Sequence, residues 1–311
     1  MKWRSLDSLR GSDFLTLLTL SPDQLHALLE RASYFKLSRT NERPLEGMVV
    51  AGIFEKPSTR TRVSMAAACA HLGATFLSLD VKTLQVSRGE SVRDTATVLS
   101  RYVDAIAARV KRHETLEEMA RWAEVPVINM LSDRFHPLQA LADVMTIREN
   151  FGERRVKVVF VGDGGANTCH SLMVACAMAG YHFAVAAPRR YWPDPEVLRR
   201  AEEIAREQGG SIEVLEDPRE GVSSANVVYT DTWMSMGVTD VEERMRAFPP
   251  YQVNEELLEA ADRDAIVLHC QPWFLGQEIT EEVAYGPRSR AFDQAENRLH
   301  TAKAVLEALL A

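Results

Sequence analysis

The chain has 311 residues, 46% of them hydrophobic and 26% charged, with a formal net charge of −8. That length predicts about two domains, and the composition is that of a globular chain able to bury a sizeable core. The negative balance argues against a general nucleic-acid or anionic-membrane surface, so a bound phosphate would need a local group of arginines.

No apolar run approaches the ~20 residues of a membrane span. The segment Phe14 to Leu20 is preceded by Asp7 and Asp13 and followed by no small-residue cleavage site, so it reads as neither a signal nor a transit peptide. Cys69, Cys169, Cys176 and Cys270 have no metal-ligand or disulfide-framework spacing, which predicts a reduced, cytoplasmic setting.

Ser21-Pro22-Asp23-Gln24 predicts a capped helix start, with Leu25, Leu28, Leu29 and Ala32 at helical spacing behind it. Strand 48–54, helix 58–72, strand 74–79, a polar loop 80–90, helix 91–102 and strand 104–110 follow. Then come helix 114–122, strand 125–129 and a long helix from His136-Pro137 to about Asn150. Phe151 to Arg155 breaks the pattern and reads as a domain junction. Beyond it the spacing predicts strand 156–161, a helix to Ala179, strand 182–187, helix 195–208 and strands 211–215 and 226–230. A loop from Asp231 to Asp240 leads to a short helix, helix 254–261, strand 265–268 and a terminal amphipathic helix from Phe292. Strands alternating with helices throughout predict two α/β domains, each with a largely parallel sheet. The expected domains are 1–150, with 292–311 packing back on it, and 151–291.

Polar clusters follow the strands that end near 54, 109, 129, 162, 230 and 268, where parallel sheets place their ligands. The richest is Ser58-Thr59-Arg60-Thr61-Arg62, where a strand turns into a helix start. Hydroxyls, free N–H donors and guanidinium forks converge there, which suits an oxyanion such as phosphate. Arg109 ends a strand of small apolar residues and wants an anionic partner. His136 and Gln139 lie one turn apart at another helix start.

Gly162-Asp163-Gly164 invites a dinucleotide reading, but Asn167 stands where the fingerprint needs its last glycine. The next strand ends Ala186-Ala187-Pro188-Arg189, without an acidic residue for a ribose, so a nicotinamide enzyme is rejected. His269-Cys270 raises a thiol hydrolase, except that neighbours on a strand point to opposite faces and do not form a dyad.

Taken in order, the Ser58–Arg62 motif, His136-Pro137-Leu138-Gln139, Asp231 to Gly237, His269-Cys270 and Glu296-Asn297-Arg298-Leu299-His300 resemble the aspartate/ornithine carbamoyltransferase family over nearly the whole chain. The Asp231-x-x-x-Ser235-Met236-Gly237 loop is similar to that of its ornithine branch. The resemblance implies a carbamoyl-phosphate domain, an amino-acid domain and assembly as homotrimers or multiples of trimers. It implies that Ser58, Thr59, Arg60 and Thr61 hold the phosphate. Arg109, His136, Gln139 and Arg298 would hold and polarise the carbamoyl group, with Cys270 and the backbone of Gln271 beside it. Gln85 would reach a neighbouring subunit's site. Asn167, Asp231, Ser235 and Met236 would bind ornithine.

Carbamoyl transfer of this kind needs no metal and no cofactor. A neutral amine attacks a carbonyl whose leaving group is phosphate, aided by preorganised donors and arginines, while Cys270 or Asp231 takes the amine proton. Catalysis is thus expected from Arg60, Arg109, His136 and Cys270. The sequence departs from the family pattern at Gln271, where Leu is common, at Trp273-Phe274-Leu275, where Ala-His-Arg is usual, and at Ser87, where Gly is usual. These changes leave open another amine, such as putrescine or an acylated ornithine. A non-catalytic binding protein would be expected to lack one of the arginines or His136.

Overall fold

Ser21 starts the first helix, α1 (Pro22–Leu37), with a reciprocal cap: its hydroxyl accepts from the Gln24 N–H while the Gln24 side chain accepts from the Ser21 N–H. The structure, a computed structural model, describes residues 3–38, 42–234 and 238–311. After α1 come β1 (Val49–Phe54), α2 (Thr59–Leu72), β2 (Thr75–Asp80), α3 (Val92–Leu99), β3 (Ala105–Arg109), α4 (His113–Trp122), β4 (Val127–Leu131) and α5 (Pro137–Phe151). The second half runs β5 (Lys157–Val161), α6 (Asn167–Met178), β6 (His182–Ala186), α7 (Pro195–Gln208), β7 (Ser211–Leu215), α8 (Pro218–Val222) and β8 (Val227–Thr230). It closes with α9 (Val241–Ala247), α10 (Glu255–Leu258), β9 (Ile266–Leu268), α11 (Glu281–Ala284) and α12 (Ala291–Leu310).

Two compact units divide the chain: Met1–Ala142 with Glu296–Ala311, and Asp143–Ala295. In the first, a four-stranded sheet has the order β2-β1-β3-β4; in the second, five strands have the order β7-β6-β5-β8-β9. Every strand pair in both sheets is parallel. The predicted class, two α/β domains with parallel sheets, is the class observed. Central strands β1, β3 and β5 are apolar along nearly their whole length because helices cover both faces.

Register in the first unit levels the strand ends that matter. Phe54 at the end of β1 pairs with Arg109 at the end of β3, and the Glu55 N–H continues the ladder to the Arg109 carbonyl at 2.9 Å. The β3–β4 register shifts between Ala108 and Arg109, an irregularity that re-aims the last side chain of a strand. Close packing supports this end of the sheet. A Cβ on Gly52 would collide with the Phe76 ring of β2, so any larger residue would have to displace that ring, which meets Phe54 edge-on.

In the same unit, α12 meets α1 through Arg31 and Glu307 (2.6 Å), beside buried Leu306 and Leu309. In the second unit, α6 is buried all round, while Val159, Val161, Val228 and Val267 join Phe248 and Tyr251 in one core. Three expectations shift. Helix 254–261 shortens to α10, because the Asp262 N–H turns away to the Ala225 carbonyl. The predicted helix 91–102 ends at Leu99. The short helices α8 and α11 were not anticipated; a five-residue turn started by the Asp217 cap carries no periodic signal to read.

Candidate active site

In the first unit, β1 ends at Phe54 and the chain turns into α2 with Ser58 as its cap, the Ser58 hydroxyl accepting from the Thr61 N–H at 3.2 Å. Thr59 is exposed in the first turn and Thr61 is buried. Arg60 is half-buried and makes no side-chain hydrogen bond or ion pair with any described residue. A cation with no partner among the described residues, in the first turn of a helix, is placed to meet an anion. Arg62 behaves differently from the expectation of paired guanidinium forks. Its guanidinium lies 4.4 Å over the Phe54 ring and stiffens the turn by cation–π contact.

Arg298 of α12 draws the rest of this group together. Its Nη1 donates to Gln139 Oε1 at 2.6 Å and its Nη2 to Thr61 Oγ1 at 3.1 Å. The α2 start, the α5 start and α12 therefore meet at one guanidinium. His136 precedes α5, fully buried within electrostatic reach of Arg298 and Arg109. Burial first, then these two positive charges, hold His136 well below the usual histidine range, so its ring is neutral near pH 7. Ser58, Thr61, Arg109, His136 and Gln139 thus fall at the carboxyl ends of β1, β3 and β4 or at helix starts that follow them, and Arg298 reaches Thr61 and Gln139 from within α12. Gln85 lies on an exposed 3₁₀ turn (Gln85–Arg88).

The second unit has its own cluster. Asp231, just past β8, accepts from the Cys270 thiol through Oδ1 (3.2 Å), from the Thr168 hydroxyl through Oδ2 (2.8 Å) and from the Thr232 N–H (2.8 Å). Asn167 is the first residue of α6, next to Thr168. Thr168 was missed in the sequence. Its adjacency to Asn167 at a helix start was the available signal. Ser235 and Met236 lie outside the described residues.

The His269 ring is engaged by the Gln271 N–H and Glu278. The Gln271 N–H donates to His269 Nδ1 (2.8 Å), so the ring proton sits on Nε2 and faces Glu278 Oε1 at 3.2 Å. Glu278 Oε1 also accepts from the Phe274 N–H, and Gln271 takes a left-handed backbone (φ +59°). A glutamine in that conformation costs of order 1–2 kcal/mol, held here by the bond to His269. The described residues contain no group of three or more His, Cys, Asp or Glu with the geometry to hold a metal ion.

The geometry gives one unit donors for an oxyanion and the other a thiol–carboxylate pair. Residues 12–149 match the family model described as the aspartate/ornithine carbamoyltransferase carbamoyl-P binding domain, and residues 154–309 match the one described as the Asp/Orn binding domain. The chain belongs to the aspartate/ornithine carbamoyltransferase family. Within this family, the ornithine carbamoyltransferase of Hyperthermus butylicus is 52% identical over 309 residues, covering 97% of this chain and 98% of that protein. The anabolic ornithine carbamoyltransferase of Pyrococcus furiosus is 50% identical, covering 96% of each chain. A solved carbamoyltransferase structure, that of ornithine carbamoyltransferase from Pyrococcus furiosus, superposes with a TM-score of 0.93 at 50% identity, covering 97% of this chain and 98% of the other.

Proposed function

We propose that the chain transfers the carbamoyl group of carbamoyl phosphate to the side-chain amine of L-ornithine, giving L-citrulline and phosphate. The observation that carries this reading is the Arg298–Gln139–Thr61 array beside a neutral His136 and Arg109, with Arg60 bonded to no side chain among the described residues. Similarity to named ornithine carbamoyltransferases supports ornithine as the acceptor.

In this reading Ser58, Thr59, Arg60, Thr61 and the first N–H groups of α2 hold the phosphate. The carbamoyl oxygen faces Arg109, His136, Arg298 and the Gln139 amide NH2, while the backbone carbonyls of Cys270 and Gln271 accept from the carbamoyl NH2. The neutral amine attacks the carbonyl carbon, negative charge grows on the carbonyl oxygen, and the C–O bond to phosphate breaks with its electron pair leaving on phosphate, which takes up the proton that the attacking nitrogen sheds. Donors fixed beforehand need no reorganisation as that charge appears. A neutral His136 gives an N–H without adding a third buried charge beside the arginines. The ammonium form of ornithine first loses a proton to Cys270 sulfur, whose own proton passes to Asp231. That proton relay fits the thiol–carboxylate contact. Asn167 and Asp231 bind the amino-acid end of ornithine.

The same proposal assigns a homotrimer, or a multiple of it, in which the exposed Gln85 turn serves a neighbouring site. It assigns a cytoplasmic setting, in keeping with four free thiols, and the biosynthetic direction. The test is citrulline formation from carbamoyl phosphate with ornithine, putrescine and N-acetylornithine in parallel, with ornithine expected to react fastest. Preference for either alternative would transfer the acceptor assignment to that amine.

A further inference from the structure

Outside the residues just described, one buried cation in the second unit has more partners than a structural ion pair requires. Arg244 projects from α9 with 12% of its side chain exposed. Its Nη1 donates to Asp163 Oδ2 (2.6 Å) and to the Trp233 carbonyl (3.0 Å), and its Nε donates to Asp240 Oδ1 (3.0 Å). The guanidinium lies 4.7 Å from the Tyr191 ring centre and 5.6 Å from that of Phe248. Tyr191 in turn donates to Asp240 Oδ2 (2.9 Å), and the Trp233 ring stacks on Phe248.

Its partners belong to three segments. Asp163 organises the turn between β5 and α6, its Oδ1 accepting from the Gly165 N–H and its carbonyl from the Ala166 N–H, one residue before Asn167. The Trp233 carbonyl lies two residues after Asp231. Asp240 caps the approach to α9. A planar fork with donors on two edges binds all three at once; an ammonium would serve fewer of them.

We propose that Arg244 is a positioning residue for the acceptor amine: it locks the turn bearing Asn167 against the segment bearing Asp231, and so sets the spacing between the two groups that hold the amino-acid end of the substrate. This rests on the acceptor-binding roles of Asn167 and Asp231 given above. It does not require that the acceptor be ornithine. The phosphate-holding residues Ser58 to Thr61 belong to the first unit, whereas the described partners of Arg244 all belong to the second.

Arg244→Lys keeps a charge for Asp163 but removes the fork, Arg244→Gln keeps a donor without charge, and Asp163→Asn keeps a hydrogen-bonding side chain without the ion pair. Arg246→Gln, from an exposed pair with Glu242 on the same helix, is the control. Steady-state KM is read separately for carbamoyl phosphate and for the amine the unmodified enzyme prefers, alongside Tm. The expected result is a rise in KM for the amine of about tenfold or more in Arg244→Lys and in Asp163→Asn. KM for carbamoyl phosphate should stay within about twofold, and Arg246→Gln should leave both unchanged. Folded Arg244→Lys and Asp163→Asn enzymes with an unchanged KM for the amine would overturn the proposal, as would equal rises for both substrates. Preference of the unmodified enzyme for a different amine would revise the acceptor without touching this inference.

Discussion

Arg298 Nη1 donates to Gln139 Oε1 at 2.6 Å, so a residue near the end of the chain determines which way the Gln139 amide faces. With its oxygen bonded to the guanidinium, the amide has its NH2 fixed on the other branch of the group. The second Arg298 nitrogen fixes the Thr61 hydroxyl at the start of α2. Arg298→Gln should therefore lose turnover by roughly 10²–10³, the cost of removing one preorganised donor to a developing oxyanion. KM for carbamoyl phosphate should rise, and that for ornithine should change less. Initial-rate kinetics with each substrate varied in turn checks this.

Arg60 gives the complementary case, since its side chain bonds to none of the described residues. Arg60→Ala should be nearly inactive while its Tm corresponds to a stability change within about 0.5 kcal/mol, as for an ordinary surface substitution. Near-normal turnover would remove the phosphate assignment from the α2 start.

His136 carries a pH signature. Burial and the two arginines lower its folded value, so below about pH 6.5 the unfolded chain binds a proton that the folded chain refuses. Its contribution to stability is present above that pH and is lost as pH falls toward the folded value. His113 and His300 are also lowered, chiefly by burial, and act with the same sign. Calorimetry at about pH 8 and about pH 5.5 should show a smaller fall in Tm for His136→Gln than for the unmodified protein. The same variant should lose most turnover at both pH values.

Cys270 should be the thiol that reacts. It is half-buried and bonded to Asp231, whereas Cys69, Cys169 and Cys176 are buried, with Cys69 pushed up to about 12 by burial and the other two pushed well above the usual thiol range. Mass spectrometry after iodoacetamide treatment of the folded protein should show modification at Cys270 ahead of the others, with matching loss of activity. Modification of a different cysteine at the same rate would contradict this picture of the Asp231 cluster. Asp231→Asn should lower kcat at saturating ornithine, most of all at low pH, where the amine most needs a proton acceptor.

Order, type and direction of most elements were readable because their causes are local. Parallel strands covered on both faces leave apolar runs such as Val49–Phe54 and Lys157–Val161, and Ser21 with Gln24 forms a cap within four residues. The helix start at Ser58 to Thr61 was readable for the same reason: a cap and its hydroxyls are a short-range pattern. Elements of four or five residues, such as α8 and α11, span too little chain to display a period and escaped notice.

Contacts between distant residues obey no such local rule. Arg62 sits in the same motif as Arg60, but packing carries it to the Phe54 ring, and nothing in Ser-Thr-Arg-Thr-Arg distinguishes the two arginines. Thr61 and Arg298 are 237 positions apart, Asp231 and Cys270 39, and Asp163 and Arg244 81. Pairing at those separations follows from which strand ends the sheet order sets side by side, and that order is a property of the packed sheets. Local chemistry in the chain thus specifies the candidate donors and the helix starts. The fold alone sets which guanidinium of the motif packs on a ring, because only burial and register bring such groups into contact.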